Sequence, residues 1–170
     1  MRHDGIAEFR HGGSRRKPEP AISPEIRIAT TDDLAGMVSL LAQLFAIEAD
    51  FNADPAKQAA GLRLLLQNST AQVWVASRHG HVVGMITLQI LISTAEGGRV
   101  GLIEDLVVTE AWRSQGLGRR LLATAEAWAE QQGLCRLHLL ADRENRLALD
   151  FYRRRGWQAT QLIALRKFGR

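Results

Sequence analysis

Six residues carry the first chemical signal in this chain: Arg113-Ser114-Gln115-Gly116-Leu117-Gly118. Upstream, Leu102 to Val108 is an aliphatic run with strand character, while downstream Leu117, Leu121, Leu122, Ala125 and Trp128 recur at helical spacing until Gly133. The glycines therefore fall where a strand hands over to a helix. A residue without a side chain lets the backbone curl there, so that several N–H groups point outward together at the positive end of a helix, a concavity suited to phosphate oxygens. The chemistry expected is the holding of a pyrophosphate. The order is not Gly-x-Gly-x-x-Gly, and no Gly-Lys-Ser or Gly-Lys-Thr follows, so a nucleotide of another kind is implied. By themselves the six residues fit a plain turn equally well.

Other reactive side chains offer less. Cys135 is a single cysteine with no partner for a disulfide and no histidine set beside it by any motif, and it reads as a buried small hydrophobe. His79 and His81 flank Gly80 in a turn-like run, and without further ligands they read as solvated turn residues, so no metal is expected.

The cradle needs a scaffold. Glu25 to Ala29 alternates like a short strand, and Thr30-Thr31-Asp32-Asp33 supplies a helix start. A helix over 32–46 places Leu34, Met37, Val38, Leu41, Leu44 and Phe45 in one stripe, and a second over 55–67 opens on Pro55. Strands over 72–77 and 82–92 form a hairpin around Gly80, and a third strand over 99–108 leads into the cradle and its helix. A strand over 137–141, a helix over 145–155 ended by Gly156, and a last strand over 157–165 complete the order. The fold class is α/β, with one mixed, mostly antiparallel central sheet flanked by helices.

The chain has 170 residues, 46% of them hydrophobic, enough for one core. Residues 1–22 are rich in Gly, Pro and Arg without periodicity and read as a flexible arm, leaving 23–170 as a single domain. The net charge is +4 and the pI about 10.0. Residues 1–20 hold five basic and three acidic residues, and the last five add three basic ones, which leaves the body at −1. A small polyanionic ligand suits that distribution better than nucleic acid does. No apolar run is long enough for a membrane helix, and the first residues lack the apolar stretch of a signal peptide, so the expected location is the cytoplasm.

The turn Arg113-x-x-Gly116-x-Gly118 and, further on, Asn145-x-x-Ala148-x-x-Phe151-Tyr152-x-x-x-Gly156-Trp157 resemble the GNAT superfamily of N-acetyltransferases, in the order and at about the spacing the superfamily shows. Ile103-Glu104-Asp105-Leu106-x-Val108 is similar to its small-molecule amine acetyltransferases. Trp157 stands where Phe is commoner, a departure that leaves the resemblance intact. The likeness covers the chain from about residue 25 to 165. It implies acetyl-CoA as co-substrate, no metal, and a central sheet splayed at the cofactor slot between the strand ending at Val108 and the one starting near Leu137. Backbone N–H groups of Gln115, Gly116, Leu117, Gly118 and Arg119 would hold the pyrophosphate, with Arg113 and Arg119 adding charge at its rim and Ser114 counted among the cofactor-binding residues of the turn. The main chain of Leu106, Val107 and Val108 would pair with the pantetheine arm, Asn145 would hydrogen-bond it, and Tyr152 would reach the sulfur. A homodimer joined through the C-terminal strand is an analogy with the family.

An ammonium has no lone pair, so an amine that attacks a thioester must first lose a proton. The departing thiolate, whose conjugate acid has a pKa near ~8.5, can take a proton from a neutral phenol of pKa ~10. Tyr152, the single tyrosine, suits that acid role. Glu104 is the candidate base or water relay; it could equally orient a cationic acceptor or pair with an arginine. Asp105 points to the opposite face by strand alternation and is the lesser candidate for the base. Trp112, Trp128 and Trp157 read as packing, and Arg153, Arg154 and Arg155 as helix-end charge. The two early helices would wall the acceptor side, where Glu48, Asp50 and Asp54 would attract a cationic amine; an exposed acidic loop explains the same residues. The expectation is N-acetylation of a small cationic amine, with protein or peptide amines, or CoA binding without turnover, as alternatives.

Overall fold

The computed structural model describes residues 23–47 and 51–169. Five strands form one sheet in the order β1-β2-β3-β4-β5. They are β1 (Glu25–Ile28), β2 (Ala71–Arg78), β3 (His81–Ser93), β4 (Gly98–Val108) and β5 (Leu137–Leu139). Neighbours from β1 to β4 run antiparallel, and β5 lies parallel to β4. The helices are α1 (Leu34–Phe45), α2 (Pro55–Gln67), α3 (Leu117–Gln131) and α4 (Arg146–Arg153).

Period-two alternation divides the core between the two faces of the sheet. Trp74, Ala76, Ile86, Leu88 and Ile103 meet Leu117, Leu121, Leu122 and Ala125 of α3 on one face. Val73, Val75, Met85 and Val107 meet Met37, Leu40 and Leu41 of α1 and Leu62 of α2 on the other. The hairpin between β2 and β3 turns on His79 and Gly80, with φ of 49° and 78°, the left-handed pair whose twist matches that of the strands. At α2, Asp54 accepts from the N–H groups of Ala56 at 3.1 Å and Lys57 at 3.2 Å, and Pro55 fills the first helical position.

The strand expected over 157–165 does not form. Trp157 packs on the α3 side and donates from Nε1 to Glu126 at 2.9 Å, but residues 158–169 are exposed throughout. Alternation makes a strand only where a neighbouring edge offers hydrogen bonds, and the last two elements of the sheet are β4 and a β5 of three residues. Glu48 and Asp50 lie outside the described residues, as does the arm over 1–22. No described helix is long and apolar enough to cross a membrane.

Candidate active site

The cradle forms at the end of β4. Thr109 leads into a short 3-10 turn, Glu110–Trp112, and the chain then bends through Ser114 (φ 59°) and Gly116 (φ 81°), the residue that caps α3. Gly116 is the glycine this geometry requires, because a side chain is strained at that φ. Gly118 is needed less: a Cβ there would sit 3.8 Å from the Phe151 ring and from Val108 Cγ2, ordinary contact. The amide of Arg120 is the first to find a helical acceptor, the Gly116 carbonyl at 3.1 Å. From Ser114 to Arg119, six consecutive amides have no hydrogen-bond acceptor among the described residues. Arg113 and Arg119 are exposed beside them. Arg113 also turns back, its Nε donating to the Val108 carbonyl at 3.0 Å, and Gln115 braces the turn by donating to the Ala111 carbonyl at 2.7 Å.

A slot opens beside β4. The β4–β5 ladder consists of Gly101 with Leu137, Leu102 with His138 and Ile103 with Leu139, and then it ends. Beyond Ile103, β4 keeps β3 on one side and has no β5 partner on the other. Val107 exchanges its main-chain bonds with Met85 on β3, and Arg113 occupies the Val108 carbonyl, so Leu106 and the Val108 N–H are the main-chain groups best placed to pair with a ligand arm. Asn145 caps α4, its Oδ1 accepting from Ala148 N–H at 3.1 Å, which leaves its NH2 as the group that can donate into the slot. Tyr152, half-buried on α4, stands edge-on to Phe151 at 5.2 Å and tilted to Trp157 at 5.9 Å.

Asp105 departs from the expected alternation. Its φ is 53°, and the β3–β4 register slips between Met85 and Thr87, a bulge that gives β4 one extra residue there. Ile103 and Leu106 face α3, Val107 faces α1, and both Glu104 and Asp105 line a cavity of about 410 Å³ on the α1/α2 side. Leu41 and Phe45 of α1, and Lys57, Leu62 and Leu65 of α2, form much of the rest of its wall. Two neutral donors on β3 hold the carboxylates: Gln89 Nε2 donates to Glu104 at 3.2 Å and Thr87 Oγ1 to Asp105 at 3.3 Å. The buried Thr87 hydroxyl also lies 3.0 Å from the Glu104 carbonyl, so it locks the bulge. Thr87→Val removes that donor while keeping the shape, and should lower stability by about 1–2 kcal/mol in urea unfolding.

Asp54 is not part of this wall. The α2 amides, that of Lys57 first, hold its carboxyl below the usual range, and Lys57 Nζ adds a 3.5 Å pair. A groove of about 460 Å³ on the other face, between Trp74 and Trp128, has no titratable side chain in its lining. Trp128 packs edge-on to Trp74 at 5.6 Å, and Trp112 lies under the Arg78 guanidinium at 5.1 Å. Arg155 is more than helix-end charge, since it stacks on Phe151 at 3.8 Å.

Residues 34–157 match the model of the acetyltransferase (GNAT) family. The chain is 33% identical over 144 residues to an aminoalkylphosphonate N-acetyltransferase of Salmonella typhimurium, covering 85% of this chain and 91% of that protein. It is 32% identical over 120 residues to a type 1 aminoglycoside N(6')-acetyltransferase of Stenotrophomonas maltophilia, covering 68% and 73%. Its fold matches the crystal structure of an aminoglycoside antibiotic 6'-N-acetyltransferase from Acinetobacter haemolyticus with a TM-score of 0.71 at 22% identity, over 85% of this chain and 98% of that one. Splayed sheet, open amide turn and matched motifs define an acyl-group transferase. The chain belongs to the GNAT family of acetyltransferases, enzymes that use acetyl-CoA.

Proposed function

We propose that the chain transfers the acetyl group of acetyl-CoA to the primary amine of a small molecule whose cationic end enters the cavity beside Glu104 and Asp105. The observation that carries this reading is the continuity of the site: six open amides, then an unpaired stretch of β4, then a cavity with two carboxylates. These residues fit the co-substrate. Acetyl-CoA, when bound, supplies the acetyl group as a thioester. The amides of residues 114–119, with Arg113 and Arg119, hold the pyrophosphate; Leu106, the Val108 N–H and the Asn145 NH2 hold the pantetheine arm. The relatives named for aminoalkylphosphonates and aminoglycosides are acetyltransferases of small amines, and a cavity of about 410 Å³ suits such a molecule better than a folded protein segment.

Glu104 is exposed, so its part is to pass the ammonium proton to water rather than to act as a desolvated base. Tyr152 gives its phenolic proton to the departing thiolate. The test is release of thiol from acetyl-CoA against polyamines, amino sugars, aminoalkylphosphonates, amino acids and peptides. Turnover with one small-amine class supports the reading; turnover with peptides alone, or acetyl-CoA binding without turnover, sinks it. Glu104→Gln should lower kcat/KM for the best amine by about tenfold or more, with the affinity for acetyl-CoA in calorimetry changed by less than about twofold.

A further inference from the structure

The middle residue of β5 is a histidine that the roles above leave out. Leu137 and Leu139 pack on the α3 side. Alternation places His138 on the other face, which carries Glu104 and Asp105. Its register partner is Leu102, and the next pair, Ile103 with Leu139, is the last before the strands part. His138 thus stands at the apex of the slot, on the cavity face, with Glu104 two residues beyond its partner along β4.

One of its nitrogens has an uncommon setting. Nδ1 is sealed from solvent and has no hydrogen-bond partner among the described residues. A sealed lone pair is the easier of the two forms to tolerate, since unpaired buried N–H groups are the rarer case. The hydrogen of the neutral ring therefore belongs on Nε2. Burial, and after it the Arg136 cation on the same chain segment, push the imidazole below its ordinary value. Arg136 itself pairs with Glu96 at 3.3 Å, and it is the one charge that acts on the imidazole among the described residues. At neutral pH the ring is uncharged and presents a donor.

We propose that His138 is a catalytic hydrogen-bond donor, its Nε2–H stabilising the negative charge that gathers on the acyl oxygen as the acceptor amine adds to the thioester. The proposal rests on the acyl-transfer reading above. An arm laid along β4 from the cradle runs from Val108 toward Glu104 and must end at the apex, because beyond it β4 and β5 are hydrogen-bonded together. As the N–C bond forms, the carbonyl electron pair moves onto oxygen; it returns when the C–S bond breaks. The ammonium loses one proton through water at Glu104 before attack; the thiolate takes the Tyr152 proton, the second proton on nitrogen returns through water to the Tyr152 oxygen, and His138 keeps its own hydrogen throughout.

The test compares His138→Leu with His138→Gln. The leucine variant should lose about 10²-fold in kcat with both KM values within about threefold of wild type, and glutamine, a neutral donor, should restore about tenfold of that loss. The pH–rate profile should keep its shape above about pH 7, where an imidazole held below its ordinary value is uncharged. A kcat within about twofold for the leucine variant, no advantage of glutamine over leucine, or loss of the acid limb in both variants overturns the proposal. Nitrogen-15 histidine NMR on the unaltered protein supplies a reading apart from turnover: acetyl-CoA should shift the His138 Nε2–H signal, and CoA, which lacks the acyl oxygen, should not. An equal response to both also overturns the proposal, even if the variants fail to fold. If no amine in the panel turns over, the acyl-transfer reading fails, and the NMR comparison still decides whether His138 meets the acyl group.

Discussion

Tyr152→Phe should reduce kcat by between about 10²- and 10⁴-fold, the range for removal of a positioned general acid. The substitution deletes one oxygen and leaves the ring. Its edge-on contact with Phe151 and tilted contact with Trp157 do not involve the hydroxyl, so α4 should hold its place beside α3. The loss should therefore fall on turnover, with KM for both substrates within about threefold of wild type. A second signature follows from the leaving group. A thiolate left without a proton donor must take one from water, so the penalty should shrink with an acyl donor whose thiol is more acidic than that of CoA. Thiol-release kinetics with two acyl donors would check both points, and a kcat within about threefold of wild type would remove Tyr152 from the acid role.

The second large effect concerns stability. Arg27 of β1 grips Asp33 with its two terminal guanidinium nitrogens at 2.7 Å, and the same carboxylate accepts from Thr30 N–H at 2.8 Å. The Asp33 side chain is 7% exposed and that of Arg27 38%. The arrangement ties the edge strand to the start of α1, which in turn walls the cavity. Arg27→Ala leaves a buried carboxylate without its cation and should cost about 3 kcal/mol at pH 7. Asp33→Ala strands only a part-exposed arginine and should cost less. The hydrogen bonds from Arg27, more than those from Thr30, hold the Asp33 carboxyl below the usual aspartate range. A depressed carboxyl stabilises fully above its unfolded value, near ~3.9, and that stability is lost as pH falls through the lower folded value. The gap between wild type and Arg27→Ala should thus narrow below about pH 4, as read from urea unfolding at a series of pH values. A gap that stays constant through that range would contradict the assignment.

Sequence signals with short range were the legible ones. Asp54 before Pro55 marks the start of α2, Gly80 the hairpin and Gly116 the cradle, because each follows from the dihedral or capping needs of a single residue. Apolar alternation and the turn at Gly80 marked the hairpin and the meander strand that follows it. The bulge was not legible, since Asp105 takes a positive φ without being glycine and is held there by Thr87 from another strand. The missing last strand failed for a related reason: alternation over 157–165 describes a strand only if an edge is offered. Acids counted along the α1–α2 connection pointed to Asp54, which caps a helix, whereas the carboxylates that reach the cavity come from adjacent positions on β4. His138 carried no motif; its setting depends on the short parallel ladder and a sealed nitrogen, and neither is written in the residues around it.

The brevity of that ladder also has a mechanical side. β5 and the helix that follows it make a lever whose fulcrum is three residues wide, and past the fulcrum no sheet hydrogen bonds tether it. What sets the gap at the open end is a spacer, the Phe151 ring lying against Gly118. A methyl group at 118 would slip into that contact, while any larger side chain would act as a wedge and pry the jaws apart at the end where the pyrophosphate is gripped, far from the bond being made.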